Sequence, residues 1–165
     1  MLEIRNAKLE DLDTIAQVEE ASFPAEEAAD KKTLEGRLKV YPNHFWLLER
    51  DGKIVSMVDG LVNNSDELLD SFYADPSFHD EDGKWQMLFG VETIPEFRKR
   101  GYASILMKEV IKDCIEDSRK GIILNTKAEY LPFYENLGFK QAGEALSVHG
   151  GKHWIRMILD LENRQ

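Results

Sequence analysis

The chain has 165 residues, 42% of them apolar and 32% charged, with a formal net charge of −10 at pH 7. That length fits one domain with an ordinary core over residues 1–165. The acidic balance argues against broad nucleic-acid binding, and no apolar run approaches the ~20 residues of a membrane span. Met1-Leu2-Glu3-Ile4-Arg5 lacks a signal-peptide layout, and the single Cys114 excludes an internal disulfide and fits a cytoplasmic location.

Residues 2–5 read as a short strand. Residues 9–21 read as a helix with Leu9, Leu12, Ile15 and Ala16 on one face, ended by Phe23-Pro24. A small-residue, acidic loop over 25–30 leads to a second helix, Lys31–Val40. A hairpin follows, with strands 45–49 and 53–62 joined by Asp51-Gly52. Residues 63–84 are irregular and polar, with a short helix expected over 66–73, and 85–93 form the next strand. Tyr102–Glu116 carries the clearest helical period, with Ala103, Leu106, Met107, Val110, Ile111 and Cys114 on one stripe. The apolar run 121–125 reads as a buried central strand. A short helix over 130–137 is closed by Gly138, and a last hairpin pairs 139–148 with 153–161 across Gly150-Gly151. The order is that of an α/β fold without regular βαβ repetition. No Gly-x-Gly-x-x-Gly or P-loop pattern is present.

The turn before the long helix carries chemistry. Arg98, Lys99 and Arg100 precede Gly101-Tyr102-Ala103-Ser104 where a helix N-terminus leaves N–H groups unpaired. Such a turn suits an anion such as a phosphate, and Gly101 lets a ligand approach the backbone closely. Arg98-x-x-Gly101-x-Ala103, led by Pro95-Glu96-Phe97, resembles the acetyl-CoA loop of the GNAT superfamily of N-acetyltransferases. Pro132-Phe133-Tyr134-Glu135-Asn136-Leu137-Gly138-Phe139 resembles the Tyr-x-x-x-Gly-Phe helix and turn of the same enzymes. The resemblance extends over nearly the whole chain. It implies a mixed, mostly antiparallel sheet whose middle strands splay apart, with flanking helices.

The resemblance also implies acetyl-CoA as the acetyl donor. Its pyrophosphate would lie on the N–H groups of Arg98 to Ser104, and its pantetheine arm along the backbone of Val91 and Thr93, in a gap beside strand 121–125. Tyr134 stands where the superfamily places the acid that protonates the leaving thiolate. Pro132-Phe133-Tyr134 and Phe23-Pro24 look closest to the arylalkylamine N-acetyltransferase branch. There, two histidines relay the proton from the amine, and other members use a glutamate at the first of those two positions. Here the two positions hold Met87 and Phe89. The base is therefore open among His79, Glu92, Asp59 and a water chain. Phe23, Pro24, Trp46 and Phe72 are candidates for an apolar acceptor pocket, with Met87 and Phe89. Glu26, Glu27 and Asp59 are candidates for attracting a cation. His44, His79, His149 and His153 lack metal-ligand spacing, which predicts no metal.

The expected activity is acetyl transfer to a primary amine of a small molecule by direct attack in a ternary complex. The alternatives are a protein acetyltransferase, acting on lysine or an N-terminus, and a CoA-binding sensor without turnover. A homodimer is compatible with this reading. Membrane and nucleic-acid partners are not expected.

Overall fold

The computed structural model describes residues 1–147 and 149–162. The expected strand end at Val148 therefore lies outside the described residues. The chain runs β1 (Leu2–Asn6), α1 (Leu12–Ser22), α2 (Lys31–Val40), β2 (Phe45–Arg50), β3 (Lys53–Asp59), β4 (Val62–Asn63), α3 (Asp70–Ala74), β5 (Trp85–Leu88), β6 (Gly90–Thr93), α4 (Tyr102–Glu116), β7 (Gly121–Thr126), α5 (Leu131–Asn136), β8 (Lys140–Glu144) and β9 (Ile155–Asp160).

The strands form two sheets, ordered β1-β2-β3-β6 and β4-β5-β7-β9-β8. Every ladder is antiparallel except β5 with β7, which is parallel. The single strand expected over 85–93 is interrupted at Phe89, and each half takes a different partner. Its first half pairs with β7 and its second half with β3. The hairpin strand expected over 53–62 breaks in the same way at Gly60-Leu61, so β3 stays in one sheet and β4 enters the other. Phe89 N–H donates to the Asp59 carbonyl at 2.7 Å and Met87 N–H to the Leu61 carbonyl at 2.8 Å, so the two breaks are stitched together. Gly60 is required there. A Cβ would lie 1.7 Å from the Met87 carbonyl oxygen, inside any contact distance.

The sheets are thus joined where β3–β4 meets β5–β6 and part beyond it. The edge of β6 away from β3 has no strand partner among the described residues. This is the splayed arrangement that the resemblance implies.

Helices fix the walls. Leu106, Met107, Val110, Ile111 and Cys114 of α4 are buried, and the helix packs on β2 and β3. Each such side chain contributes about 1.5–3 kcal/mol by leaving water. Helix α1 packs on α2, β3 and β6. Its buried stripe is Ile15, Val18 and Glu19, and that of α2 is Leu34, Arg37 and Leu38. Each apolar stripe thus carries one charged residue. No helix among the described residues is long and apolar enough to cross a membrane.

Candidate active site

The gap beside β6 opens into a cavity of about 1380 Å³. Its wall includes Val91 and Thr93 of β6, the turn at Arg98, Lys99 and Gly101, the first turn of α4 at Tyr102, Ala103 and Ser104, and Tyr134 of α5. Of the residues expected to hold the donor, only Arg100 lies outside that wall. Its guanidinium sits over the Phe97 ring, 5.1 Å from the centroid.

Local sequence explains the turn. Gly101 caps α4 at φ +84°, a left-handed conformation that favours glycine, and a Cβ there would meet open space. The first helical hydrogen bond runs from Ile105 N–H to the Gly101 carbonyl at 3.1 Å, and no side chain caps the helix. The N–H groups of Tyr102, Ala103 and Ser104 are therefore free of helical partners, and all three residues line the cavity. Arg98 braces this turn. Its Nε donates to the Thr93 carbonyl and one terminal nitrogen to the Ser22 carbonyl, both at 2.9 Å. On the opposite strand, Asn125 Nδ2 is buried, lacks an acceptor and belongs to the same wall. An unpaired strand edge facing an unpaired amide donor suits an extended amide-bearing chain such as pantetheine.

Tyr134 is buried, with its ring edge-on to Phe133 at 5.0 Å and to Phe139 at 5.7 Å. Burial, with Tyr130 adding to it, pushes its phenol above the usual value. It therefore keeps its proton through the physiological range.

The cavity floor was not legible in the sequence. Glu19, Arg37, Asp59 and Glu92 come together from α1, α2, β3 and β6, and all are buried. Arg37 Nη1 donates to Asp59 Oδ2 at 2.9 Å, and its other nitrogens donate to the Tyr73 carbonyl. Burial raises the Asp59 carboxyl to about 6 even beside Arg37. Burial and then Glu19 push Glu92 well above the carboxylate range. Of the open base candidates, Glu92 lines the cavity, Asp59 lies behind it on Arg37, and His79 lies elsewhere. The signal available beforehand was a charged residue on each apolar helix stripe, Glu19 and Arg37.

A roof closes the opposite side. His149 stacks on Tyr73 with centroids 5.2 Å apart and planes 5° apart, and its Nε2 meets the Glu27 carbonyl at 3.0 Å. Lys127 pairs with Glu27 at 2.7 Å, and Trp154 N–H donates to the His149 carbonyl at 2.8 Å. Phe23, Pro24 and Phe89 line the cavity as expected. Trp46, Phe72 and Met87 are buried core residues outside its wall.

Spacing gave no hint that His44, His79 and Glu81 would meet, yet their ligand-type atoms lie within 4.8 Å of one another. The tautomers disfavour a metal. Val62 N–H donates to His79 Nδ1 at 3.1 Å, so the proton of a neutral His79 sits on Nε2, which faces Glu81 at 2.9 Å. That nitrogen has no lone pair to give.

A split α/β sheet with an uncapped helix N-terminus and a tyrosine on one cavity suits an acyl-CoA-type transferase. The sequence profile of the Acetyltransferase (GNAT) family matches residues 9–139, and the chain belongs to that family. The uncharacterized N-acetyltransferase YjcF of Bacillus subtilis (strain 168) is 26% identical over 84 residues, 47% of this chain and 60% of that protein. The match thus spans under two thirds of that relative. The loading GNATL domain of CurA from Lyngbya majuscula superposes with a TM-score of 0.87 at 16% identity, covering 99% of this chain and 100% of that one. The GphF GNAT-like decarboxylase in complex with isobutyryl-CoA gives 0.82 at 19% identity, covering 97% and 100%. At such identities the likeness is one of fold.

Proposed function

We propose that this chain is an acetyl-CoA-dependent N-acetyltransferase that acetylates a primary amine of a small molecule by direct attack in a ternary complex. One observation carries the reading. The unpaired edge of β6, the uncapped N-terminus of α4 and Tyr134 share one cavity. The donor supplies its acetyl group as a thioester. Tyr102, Ala103 and Ser104 N–H groups hold its phosphates, with Lys99 adding charge. Val91, Thr93 and Asn125 hold its amide arm, and Tyr134 gives its proton to the departing thiolate.

The roof favours a small acceptor over a peptide. Asp70, Tyr73 and Ala74 from the segment before β5 border the cavity, as do His149 and Trp154 from the loop before β9. Phe23, Phe89, Phe133 and Tyr73 suit an amine with an apolar or aromatic body, in keeping with the arylalkylamine-like motifs. A decarboxylase, the activity in the name of GphF, must receive a carboxylate. The floor here sets three carboxyls against one guanidinium that Asp59 already occupies, which speaks against an anionic acyl group. The reading carries a cytoplasmic location with it.

The test is release of free CoA thiol with a panel of amines, amino sugars, polyamines and peptides. Turnover confined to small amines is expected. Acetyl-CoA binding without turnover on any acceptor would replace the enzyme with a sensor, and turnover only on peptides would replace the acceptor class.

A further inference from the structure

The floor of the cavity holds charge that no cofactor-binding role uses. Glu92 is 4% exposed, and neither of its carboxyl oxygens has a hydrogen-bond donor in the protein. Glu19 is also 4% exposed. Its Oε2 accepts from Ala29 N–H at 2.9 Å, while Oε1 has no partner. Asp59 Oδ1 is likewise without a donor. Glu19 and Glu92 line the same cavity, and after burial Glu19 is the largest influence pushing the Glu92 carboxyl upward. Two carboxylates offer only acceptors, so neither supplies the other's missing donor.

The backbone is shaped for this cluster. A Cβ at position 90 would lie 2.6 Å from Glu92 Oε1 and 3.2 Å from Asp59 Oδ1. Gly90 therefore leaves the space that the carboxyls fill, at the first residue of β6 and beside the Phe89 break. Orphaned buried oxygens cost free energy that a purely structural cluster would avoid by pairing. Glu19 and Glu92 both belong to the cavity wall, so a ligand can supply the missing donors.

We propose that the Glu19–Glu92 carboxyl pair is the proton acceptor of the reaction: it receives the acceptor amine as its ammonium ion and removes a proton from that nitrogen. This rests on the N-acetyltransferase reading and fills the role left open by Met87 and Phe89. Asp59 and Arg37 are positioning residues. Arg37 balances Asp59, which leaves the negative charge of the pair to the ammonium.

Tyr41 and Tyr73, which neighbour Arg37 and Asp59, are both held neutral by burial. The pair takes one proton from R–NH₃⁺ and leaves a lone pair on nitrogen. That lone pair forms the C–N bond to the thioester carbon, the C–S bond breaks, and its electrons leave on sulfur. Tyr134 protonates the thiolate and regains a proton from the nitrogen of the forming amide. The proton on the pair passes to water, so the sum is amide, thiol and one released proton.

The experiment compares two acceptors in wild type, Glu92→Gln and Glu19→Gln. One is an alkylamine, an ammonium ion at pH 7. The other is an arylamine, already neutral there. With the alkylamine, kcat/KM should fall by about 10²–10⁴ in either variant, the range of general-base catalysis. With the arylamine it should fall less than about tenfold. Raising the pH should recover part of the alkylamine rate in the variants, because more free amine then arrives. Thermal unfolding confirms that each isosteric variant is folded. Equal loss on both acceptors, or no loss on either, would overturn the proposal and leave the N-acetyltransferase reading in place. A wild-type protein that binds acetyl-CoA but acetylates no amine would overturn both.

Discussion

Two charged clusters of this molecule, one around the exposed Glu81 and one around the buried Glu92, are built on different terms. Around Glu81, nearly every polar atom has a partner. His44 Nδ1 meets Gln86 Oε1 at 2.9 Å, and Gln86 Nε2 donates to the carbonyls of Gly60, Leu61 and Met87. Glu81 accepts from His44, His79 and Arg119. Arg119 Nη1 donates to the Glu81 and Gly83 carbonyls, and only its Nε is left over. The cluster around Glu92 leaves four carboxyl oxygens without donors: both of Glu92, one of Glu19 and one of Asp59. The first cluster clasps the segment before β5 to the strands beneath it. The second borders a cavity, and in the proposed role its missing donors come from the acceptor ammonium. Satisfied charge marks structure, and orphaned charge beside a cavity marks a site.

This contrast is most sharply tested by removing one oxygen from the cavity and one amide from the clasp. Tyr134→Phe keeps the ring packing and should lower kcat by about 10²–10⁴ with acetyl-CoA affinity little changed, in a single-turnover assay. Near-normal turnover would make Tyr134 a packing residue only. Gln86→Leu should do the reverse. It strands a histidine nitrogen and takes a donor from three carbonyls, of which Leu61 keeps the Met87 N–H, so stability should fall by about 2–4 kcal/mol while turnover per folded molecule holds. A loss of turnover at unchanged stability would erase the distinction between the clusters.

A smaller effect is expected at the phosphate turn. Gly101→Glu adds a side chain where φ is +84° and sets a negative charge against the pyrophosphate. The backbone strain alone costs about 1–2 kcal/mol. Calorimetry should find acetyl-CoA affinity reduced at least about tenfold in a folded variant, since about 1.4 kcal/mol is tenfold. Unchanged affinity would remove the donor from this turn.

The smallest effects are two slopes of opposite sign. Burial raises the Glu81 carboxyl, but hydrogen bonds from His44 and His79 outweigh it and hold the group at about 2. Its pKa is depressed on folding, so its contribution is present above the ordinary value of 4.5 and is lost as pH falls towards 2. Glu81→Gln should flatten that acid limb in denaturation midpoints. Glu92 and Asp59 are raised on folding, Asp59 to about 6. The folded protein then holds protons that the unfolded chain has released, so stability should fall as pH rises from the carboxylate range through 6. Glu92→Gln should flatten this second limb and stabilise the fold near neutrality. Matching slopes in the two variants would contradict the assignment of opposite roles.

The sequence alone determined what is local. The stripe Leu106, Met107, Val110, Ile111 and Cys114 is a helical period whichever sheet lies beneath it. Glycine at 101 and the glycine after Leu137 mark left-handed turns wherever they occur, at φ +84° and +101°. The phosphate turn, Tyr134 and the family resemblance were legible because each lies within a few consecutive residues. Tertiary structure decided the rest. Residues 85–93 read as one strand because side-chain alternation says nothing about partners. Only the competing ladders with β3 and β7 break it at Phe89 and open the gap. His79 stood as a base candidate until its ring was placed against Glu81, away from the cavity. Glu19, Arg37, Asp59 and Glu92 are spread over four elements, and each looks like surface charge in isolation. The proton affinities of Asp59 and Glu92 are set by burial and by the charges around them. A carboxyl changes from a solvated anion to an acid that keeps its proton when water is removed, more so when a second carboxyl arrives, and both are acts of folding.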